Sequence, residues 1–323
     1  AFFKAWLITI FFIAISVDEL NSRLASARGK LLTHRAERVP PMRDDKQLAA
    51  WNGLMIASLA KGAVVLDEPK YAQSAARAAD FVLQRLRSDG KLLRTYRGGK
   101  AHLTAYLSDY AFLTEGLINL YEATFDPRWL KASIALTDDV IKRYHDEAGG
   151  GFFFTAVEAE RLVTRTKDAN DGAVPSGNSV QALNLLRLAG LTGKSDYRAK
   201  AESIFRAFAT LASSSPGRFD RLLCAVDFYH GRPKEIAIVA GSESVAGRAM
   251  WRAVHDRYRP NKIVAGLDDG DAALAATVVE VVPLLVKKRR IDGKATAYVC
   301  RNHKCKRPVT SVGELVELLD ADK

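Results

Sequence analysis

The chain has 323 residues, 48% hydrophobic and 26% charged, with a formal net charge of +11. This length and apolar content allow one large or two ordinary domains with a sizeable core, and they exclude wholesale disorder. The basic balance does not mark a nucleic-acid binder: Lys and Arg are scattered apart from Lys287-Lys288-Arg289-Arg290, and no aromatic-basic RNA motif or zinc-finger spacing occurs.

Phe2-Phe3 and the run Trp6 to Ile15 are apolar, interrupted by Lys4 and Thr9. The run is short for a membrane span, which needs about 20 residues. It resembles a signal-peptide core without a clean small-x-small cleavage site. A truncated or mis-joined N-terminus is the expectation, and a membrane anchor is the alternative.

Glu19 to Ala36 reads as a helix, with Leu20, Leu24, Ala27, Leu31 and Leu32 on one side. Pro40 and Pro41 then stop the chain. Asp44 with Gln47 forms a capping-box pattern, which predicts a helix from Asp45 to about Leu66 carrying Leu48, Trp51, Met55 and Leu59 on one face. Asp67-Glu68-Pro69 breaks it, and Tyr71 to Arg87 is its partner. Lys91 to Arg97 leads into a hairpin turning at Gly98-Gly99.

The pattern repeats. A helix opens at Ser108-Asp109-Tyr110, breaks at Asp126-Pro127, and is followed by Trp129 to Tyr144. Phe152-Phe153-Phe154 with Leu162-Val163-Thr164 predicts a second hairpin. Pro175-Ser176-Gly177-Asn178 opens a third such helix, Gly193 breaks it, and Tyr197 to Leu211 is its partner. A shorter helix runs from Phe219 to His230. Repeated helix pairs of this kind stack into solenoids or close into an α/α toroid. After Pro233 the texture becomes that of a small α/β module: a strand at Lys234 to Gly241, a helix at Ala246 to Tyr258, a strand at Asn261 to Ala265, the segments Val278 to Val286 and Ala295 to Cys300, and a helix at Val312 to Leu319. The expected division is 1–18 for the apolar segment, 19–232 for the toroid hairpins and 233–323 for the α/β module.

The repeat aligns the polar clusters. Asp44-Asp45-Lys46, Ser108-Asp109-Tyr110 and Asp171 with Ser176, Asn178 and Ser179 all fall at starts of equivalent helices, which converge on one face of a toroid. Asp44, Ser108 and Ser176 read first as caps. Asp45, Asp109 and Asp171 are the candidate acid/base groups, since carboxylates facing each other across a cavity serve glycoside or epimerisation chemistry. Lys46, Trp51, Asn52, Tyr110, Ser176 and Asn178 are the candidate substrate-binding residues. Trp51 and Tyr110 suit stacking on a sugar ring, and a core anchor is the ordinary fate of a helical Trp. Arg165 and Lys167 either bind an anionic group or pair with the Asp residues. The six histidines form no ligand-spaced pair, although His102 and His230 fall near the open face as candidate proton shuttles. No nucleophile elbow, P-loop or His-Glu-x-x-His is present. Cys300 and Cys305 enclose Arg-Asn-His-Lys, and the spacing reads as two ordinary thiols near a strand end rather than a metal or redox pair. No cofactor and no metal are expected.

Several runs together resemble a known family. They are Arg38-Val39-Pro40-Pro41, Asp44-Asp45-Lys46, Trp51-Asn52-Gly53-Leu54-Met55-Ile56, Asp109-Tyr110-Ala111-Phe112, Gly150-Gly151-Phe152 and, most specific, Asp171-Gly172-Ala173-Val174-Pro175-Ser176-Gly177-Asn178-Ser179. In this order they resemble the thioredoxin-domain-containing family of YyaL and spermatogenesis-associated protein 20. The likeness runs from about Glu19 through Tyr298-Val299-Cys300 and Cys305-Lys306-Arg307-Pro308. It implies an α/α toroid of the six-hairpin-glycosidase type, similar to N-acylglucosamine 2-epimerases, preceded in family members by a thioredoxin-like domain. Here the apolar stretch Ala1 to Ser16 stands where that domain and the first part of the toroid are expected, so thioredoxin activity does not carry over. With about eight helices the ring is expected to be incomplete, with apolar helix faces uncovered.

The expected protein is therefore mainly α, an incomplete toroid that binds or acts on a sugar or sugar derivative. The competing expectation is a non-catalytic scaffold for a thioredoxin-like domain. A cytoplasmic location is expected, or a membrane-associated one if the N-terminal segment is an anchor.

Overall fold

The computed structural model describes residues 15–160, 163–241, 244–302 and 304–321. The chain separates into two units, Ala1–Asp45 and Lys46–Lys323. The apolar run at the N-terminus lies outside the described residues. The first unit contains helix α1 (Val17–Ala36), begun by Ser16, whose side chain accepts the Glu19 amide. Asp18 and Glu19 in its first turn and His34 and Arg35 in its last complement the helix dipole.

In the second unit three helical hairpins follow one another: α2 (Ala49–Val65) with α3 (Pro69–Arg85), α4 (Leu107–Thr124) with α5 (Pro127–Tyr144), and α6 (Gly177–Thr192) with α7 (Ser195–Ser214). Helix α8 (Asp220–His230) follows. The repeat read in the sequence is thus present, and its breakers act by local geometry. Asp67 and Phe125 turn the chain with φ of 53° and 56°, Gly193 with 71°. Pro69 and Pro127 start the return helices, where the missing amide hydrogen is not needed.

The helices form two layers. Helices α2, α4, α6 and α8 pack side by side as an inner layer, and α3, α5 and α7 cover it. Helix α4 is buried without interruption from Asp109 to Tyr121, the mark of a helix enclosed on all sides. The outer helices bury one face, such as Ala75, Ala79 and Val82 on α3. Small residues let α2 and α4 approach closely. A Cβ on Gly53 would lie 2.4 Å from the Leu113 amide nitrogen, and one on Gly116 would lie 2.7 Å from the Gly53 carbonyl oxygen. Facing solvent on α2 are Trp51, Met55, Val65 and Leu66.

Strands β1 (Gln47–Leu48), β2 (Arg87–Ser88), β3 (Lys91–Arg97) and β4 (Lys100–Thr104) make a small antiparallel sheet at one end of the hairpins. The predicted turn at Gly98-Gly99 is present, both glycines having positive φ. Two expectations are corrected. Helix α2 begins at Ala49, not Asp45, because Gln47 and Leu48 pair with Tyr96 and Thr95 of β3 and are thereby held extended. Phe152 to Phe154 form no ladder with the segment around Thr164 among the described residues. Phe152 instead bridges to His145, and the Phe154 amide binds the Thr166 carbonyl; Leu162 lies outside the described residues.

The C-terminal module contains β5 (Lys234–Val239), α9 (Val245–His255), β6 (Lys262–Leu267), α10 (Ala272–Val281), β7 (Thr296–Arg301), β8 (Lys304–Cys305) and α11 (Val312–Asp320). Its sheet runs β6-β5-β7-β8, with β5 and β6 parallel and β7 antiparallel to both neighbours. Helices α9 and α11 pack together, while α10 contacts α5 of the hairpin layers. The module seats against the hairpins through Gly266, where a Cβ would lie 2.1 Å from the Phe125 ring, and through the Trp251 indole nitrogen, which donates to the Glu122 carbonyl at 3.3 Å.

A further correction concerns the cysteines. Cys300 and Cys305 are joined by a disulfide, because the β7–β8 ladder sets them directly opposite each other. Cys224 is an exposed free thiol.

Candidate functional site

The starts of α2, α4 and α6 converge on a cleft of about 300 Å³. Leu48 enters from the end of β1, Ala50 and Trp51 from α2, Ser108 and Phe112 from α4, and Gly177 and Asn178 from α6 with Ser176 just before it. The hairpin connections complete it with Arg94, Phe154 and the segment Asp168 to Pro175. This is the arrangement expected of the repeat, in which long connections gather at one end of the helix pairs.

Arg94 is the best-anchored charged group in the cleft. Its Nη1 donates to Asp109 Oδ2 at 3.2 Å, and its guanidinium lies 4.7 Å from the centre of the Tyr106 ring. Tyr106 in turn stacks on Phe154 at 4.4 Å. A guanidinium held on both sides in this way presents its remaining N–H groups with little freedom left to lose.

Asp109 is fully buried and its oxygens are occupied. Oδ1 accepts the Ala50 amide at 3.1 Å, and Oδ2 accepts the Tyr106 amide at 2.9 Å as well as Arg94. Burial raises its pKa, opposed by the Tyr106 amide, the Arg94 charge and the Ala50 amide. Asp109 therefore joins the starts of two helices and orients Arg94; it does not line the cleft. Asp171 is also engaged: Oδ1 accepts the Ser176 amide at 2.8 Å, and Oδ2 accepts the Arg221 and Leu222 amides, capping α8. Asp45 belongs to the N-terminal unit, where it is exposed and pairs with Arg43. The structure thus does not bring the carboxylates of Asp109 and Asp171 to face each other across the cavity.

The expected binding residues also divide. Trp51 lines the cleft and stays 65% exposed. Ser176 lines it while capping α6, its Oγ accepting the Ser179 amide at 3.0 Å. Asn178 lines it and serves as a clamp, with Oδ1 accepting the Phe152 amide at 2.8 Å and Nδ2 donating to the Phe152 and Asp168 carbonyls. Tyr110 is buried away from the cleft, and its hydroxyl donates to Asp139 at 2.6 Å and accepts from the Leu92 amide and Arg143. Asn52 donates to the Leu48 carbonyl in the first turn of α2. Lys46 is exposed just before β1. Lys167 pairs with Asp146 at 2.7 Å, and Arg165 lies over the Phe153 ring and donates to backbone carbonyls.

Two lining groups escaped sequence reasoning. Arg94 is one of several basic residues in a hairpin, and nothing in its neighbours marks it. Asp168 is the carboxylate exposed at the cleft, its Oδ1 accepting only the Asn170 amide at 2.8 Å among the described contacts. It lies three residues before the recognisable Asp171 run, in a polar segment without periodicity.

A larger hollow of about 450 Å³ lies at the carboxyl ends of β5 and β6, where Ser244 caps α9 and Arg290 is held by Asp269. Among the described residues no helix is long and apolar enough to cross a membrane.

Fold and cleft together define an α/α-hairpin protein of the toroid class, with its cleft at the starts of the inner helices. No protein-family model matches the chain. The chain is similar to human spermatogenesis-associated protein 20, with 35% identity over 316 residues, covering 94% of this chain and 40% of that protein. It therefore spans well under half the length of that relative. Similar solved structures include the cellobiose 2-epimerase of Spirochaeta thermophila, with a TM-score of 0.43, 14% identity, and 51% and 43% of the two chains covered. The GH76 α-mannanase of Bacteroides thetaiotaomicron gives 0.46, 16%, and 68% and 58%.

Proposed function

We propose that the chain belongs to the spermatogenesis-associated protein 20 family and that its cleft binds a carbohydrate or sugar derivative. The family reading is supported by 35% identity along 94% of the chain and by the ordered runs quoted above. The ligand reading is carried by one observation: the exposed Trp51 indole, the Arg94 guanidinium pinned by Asp109, and the Asp168 carboxylate line a single cleft. An aromatic face with a few fixed polar groups matches the alternating apolar and hydroxylated faces of a sugar ring.

Binding is better supported than acid/base catalysis. Two-carboxylate glycoside chemistry needs a second carboxylate facing the first. Among the described residues Asp168 is the carboxylate lining the cleft. In this reading Asp109 and Asp171 are positioning groups, and Asp168 contacts the ligand.

Tryptophan fluorescence titration with neutral, phosphorylated and uronic sugars tests the proposal. A saturable change that is lost in Trp51→Ala is expected. No saturable response to any sugar overturns it.

The scaffold reading has one supporting observation, the exposed apolar side chains Trp51, Met55, Val65 and Leu66 of α2. Met55 lies outside the cleft lining, so Met55→Glu separates the two readings. It leaves a sugar response intact and abolishes docking of a protein partner, such as the thioredoxin-like domain of the longer relatives implied by the resemblance.

A further inference from the structure

We propose that Cys300 and Cys305 form a thiol–disulfide exchange site, opened by an external thiol that attacks the exposed sulfur of Cys305. The two cysteines face each other in the β7–β8 register, and the next pair, Arg301 and Lys304, closes the same ladder. Their Cα atoms are 3.8 Å apart. A disulfide stabilises mainly by closing a loop in the unfolded chain, and the gain is smaller the shorter the loop. Here only four residues separate the cysteines, and the β7–β8 ladder already holds both. The bond adds little constraint that the fold lacks without it.

The two sulfurs differ in access. Cys300 is buried in the sheet, opposite Glu235 of β5, while Cys305 is exposed on a two-residue edge strand. Exposed disulfides are the labile ones. The surroundings are basic: Lys304 and Lys306 flank Cys305, and Arg307 follows. Positive charge there favours an approaching thiolate and stabilises a Cys305 thiolate once formed.

The exchange balances as follows. A thiolate of low molecular weight or on a protein attacks Cys305 Sγ. The Cys300–Cys305 bond breaks, and its electron pair leaves on Cys300, which takes a proton. A second thiolate then attacks the incoming sulfur of the mixed disulfide and releases Cys305 as a thiolate. The protein disulfide gains two electrons, and the two external thiols become one disulfide.

The test uses the full chain carrying Cys224→Ser, incubated under native conditions with reduced glutathione, quenched in acid and mapped by mass spectrometry. A glutathione adduct on Cys305 is expected, followed by alkylation of both cysteines, with the thermal unfolding temperature shifted only slightly. Lys304→Glu is expected to slow adduct formation several-fold. Protection of both cysteines until denaturant is added overturns the proposal. So does an adduct on Cys300, or unfolding on reduction, either of which makes the bond a structural staple.

Discussion

Asp109 reaches Ala50 across 59 positions of sequence, its Oδ1 accepting the Ala50 amide at 3.1 Å. The start of α2 is thus capped by a residue of α4, and Leu48, the residue before the helix, supplies no side-chain cap. The same carboxylate accepts the Tyr106 amide and holds Arg94. Asp109→Asn keeps one acceptor and turns an N–H group toward a donor. A loss of about 1–3 kcal/mol is expected, measured by urea unfolding. Because Arg94 is released at the same time, the proposed sugar binding is expected to weaken as well.

Gly53→Ala tests the contact between α2 and α4. Its new Cβ meets backbone atoms of Phe112 and Leu113 within 2.4–2.5 Å, and backbone cannot move aside cheaply. An overpacking cost of roughly 1–3 kcal/mol is expected. Gly62→Ala, whose Cβ would lie 3.8 Å from the Tyr71 ring, is the control and leaves stability nearly unchanged or slightly improved.

Asn178→Ala removes a clamp on three backbone groups, the Phe152 amide and the carbonyls of Phe152 and Asp168. The site is fully buried, so a cost of about 1–3 kcal/mol follows. Faster amide exchange at Phe152 and in the Asp168 segment would show where the loss falls. Unchanged exchange there would contradict the clamp.

Asp146 sets a pH dependence. The hydrogen bond from Lys167, then that from the Gly149 amide, lowers its pKa to about 2. Its folded value lies below its unfolded one, so its contribution is present above the ordinary carboxylate range. It fades as pH falls from about 4 toward 2. Wild type and Asp146→Asn should therefore differ in stability by a constant amount above about pH 4 and converge below it. Asp109 acts with the opposite sign, since burial raises its pKa, and ionising it opposes folding as pH rises above the ordinary range. Acid unfolding monitored by circular dichroism distinguishes the two.

Much of the architecture is legible in the sequence. Proline and glycine breakers, together with 3.6-residue periodicity, marked each hairpin, because they act through local backbone geometry. The helix starts were also correctly expected to converge, since paired helices with short breakers leave all their long connections at one end. The start of α2 was misread because Asp44 and Gln47 carry a local capping signal. Pairing of Gln47 and Leu48 with β3 overrides that signal.

The site was legible only in part. Trp51, Ser176 and Asn178 stood out through position in the repeat, and all three line the cleft. Arg94 and Asp168 did not, because a charged residue in a hairpin or loop looks the same in sequence whether it faces ligand or solvent. Nor did the sequence show that Asp109, Asp171 and Tyr110 spend their polar atoms on backbone amides and on Asp139 and Arg143. Tyr106 and Ser176 are local partners, but Ala50, Arg221, Leu222, Asp139 and Arg143 lie far along the chain.

By itself, then, the sequence determined the repeat, the two kinds of texture and the end of the hairpins where polar groups gather, since each follows from short-range spacing. Only the tertiary structure decided which carboxylate faces the cleft, which residue caps α2, and that Cys300 meets Cys305. Each of those depends on which distant groups the packing brings within hydrogen-bonding or bonding reach.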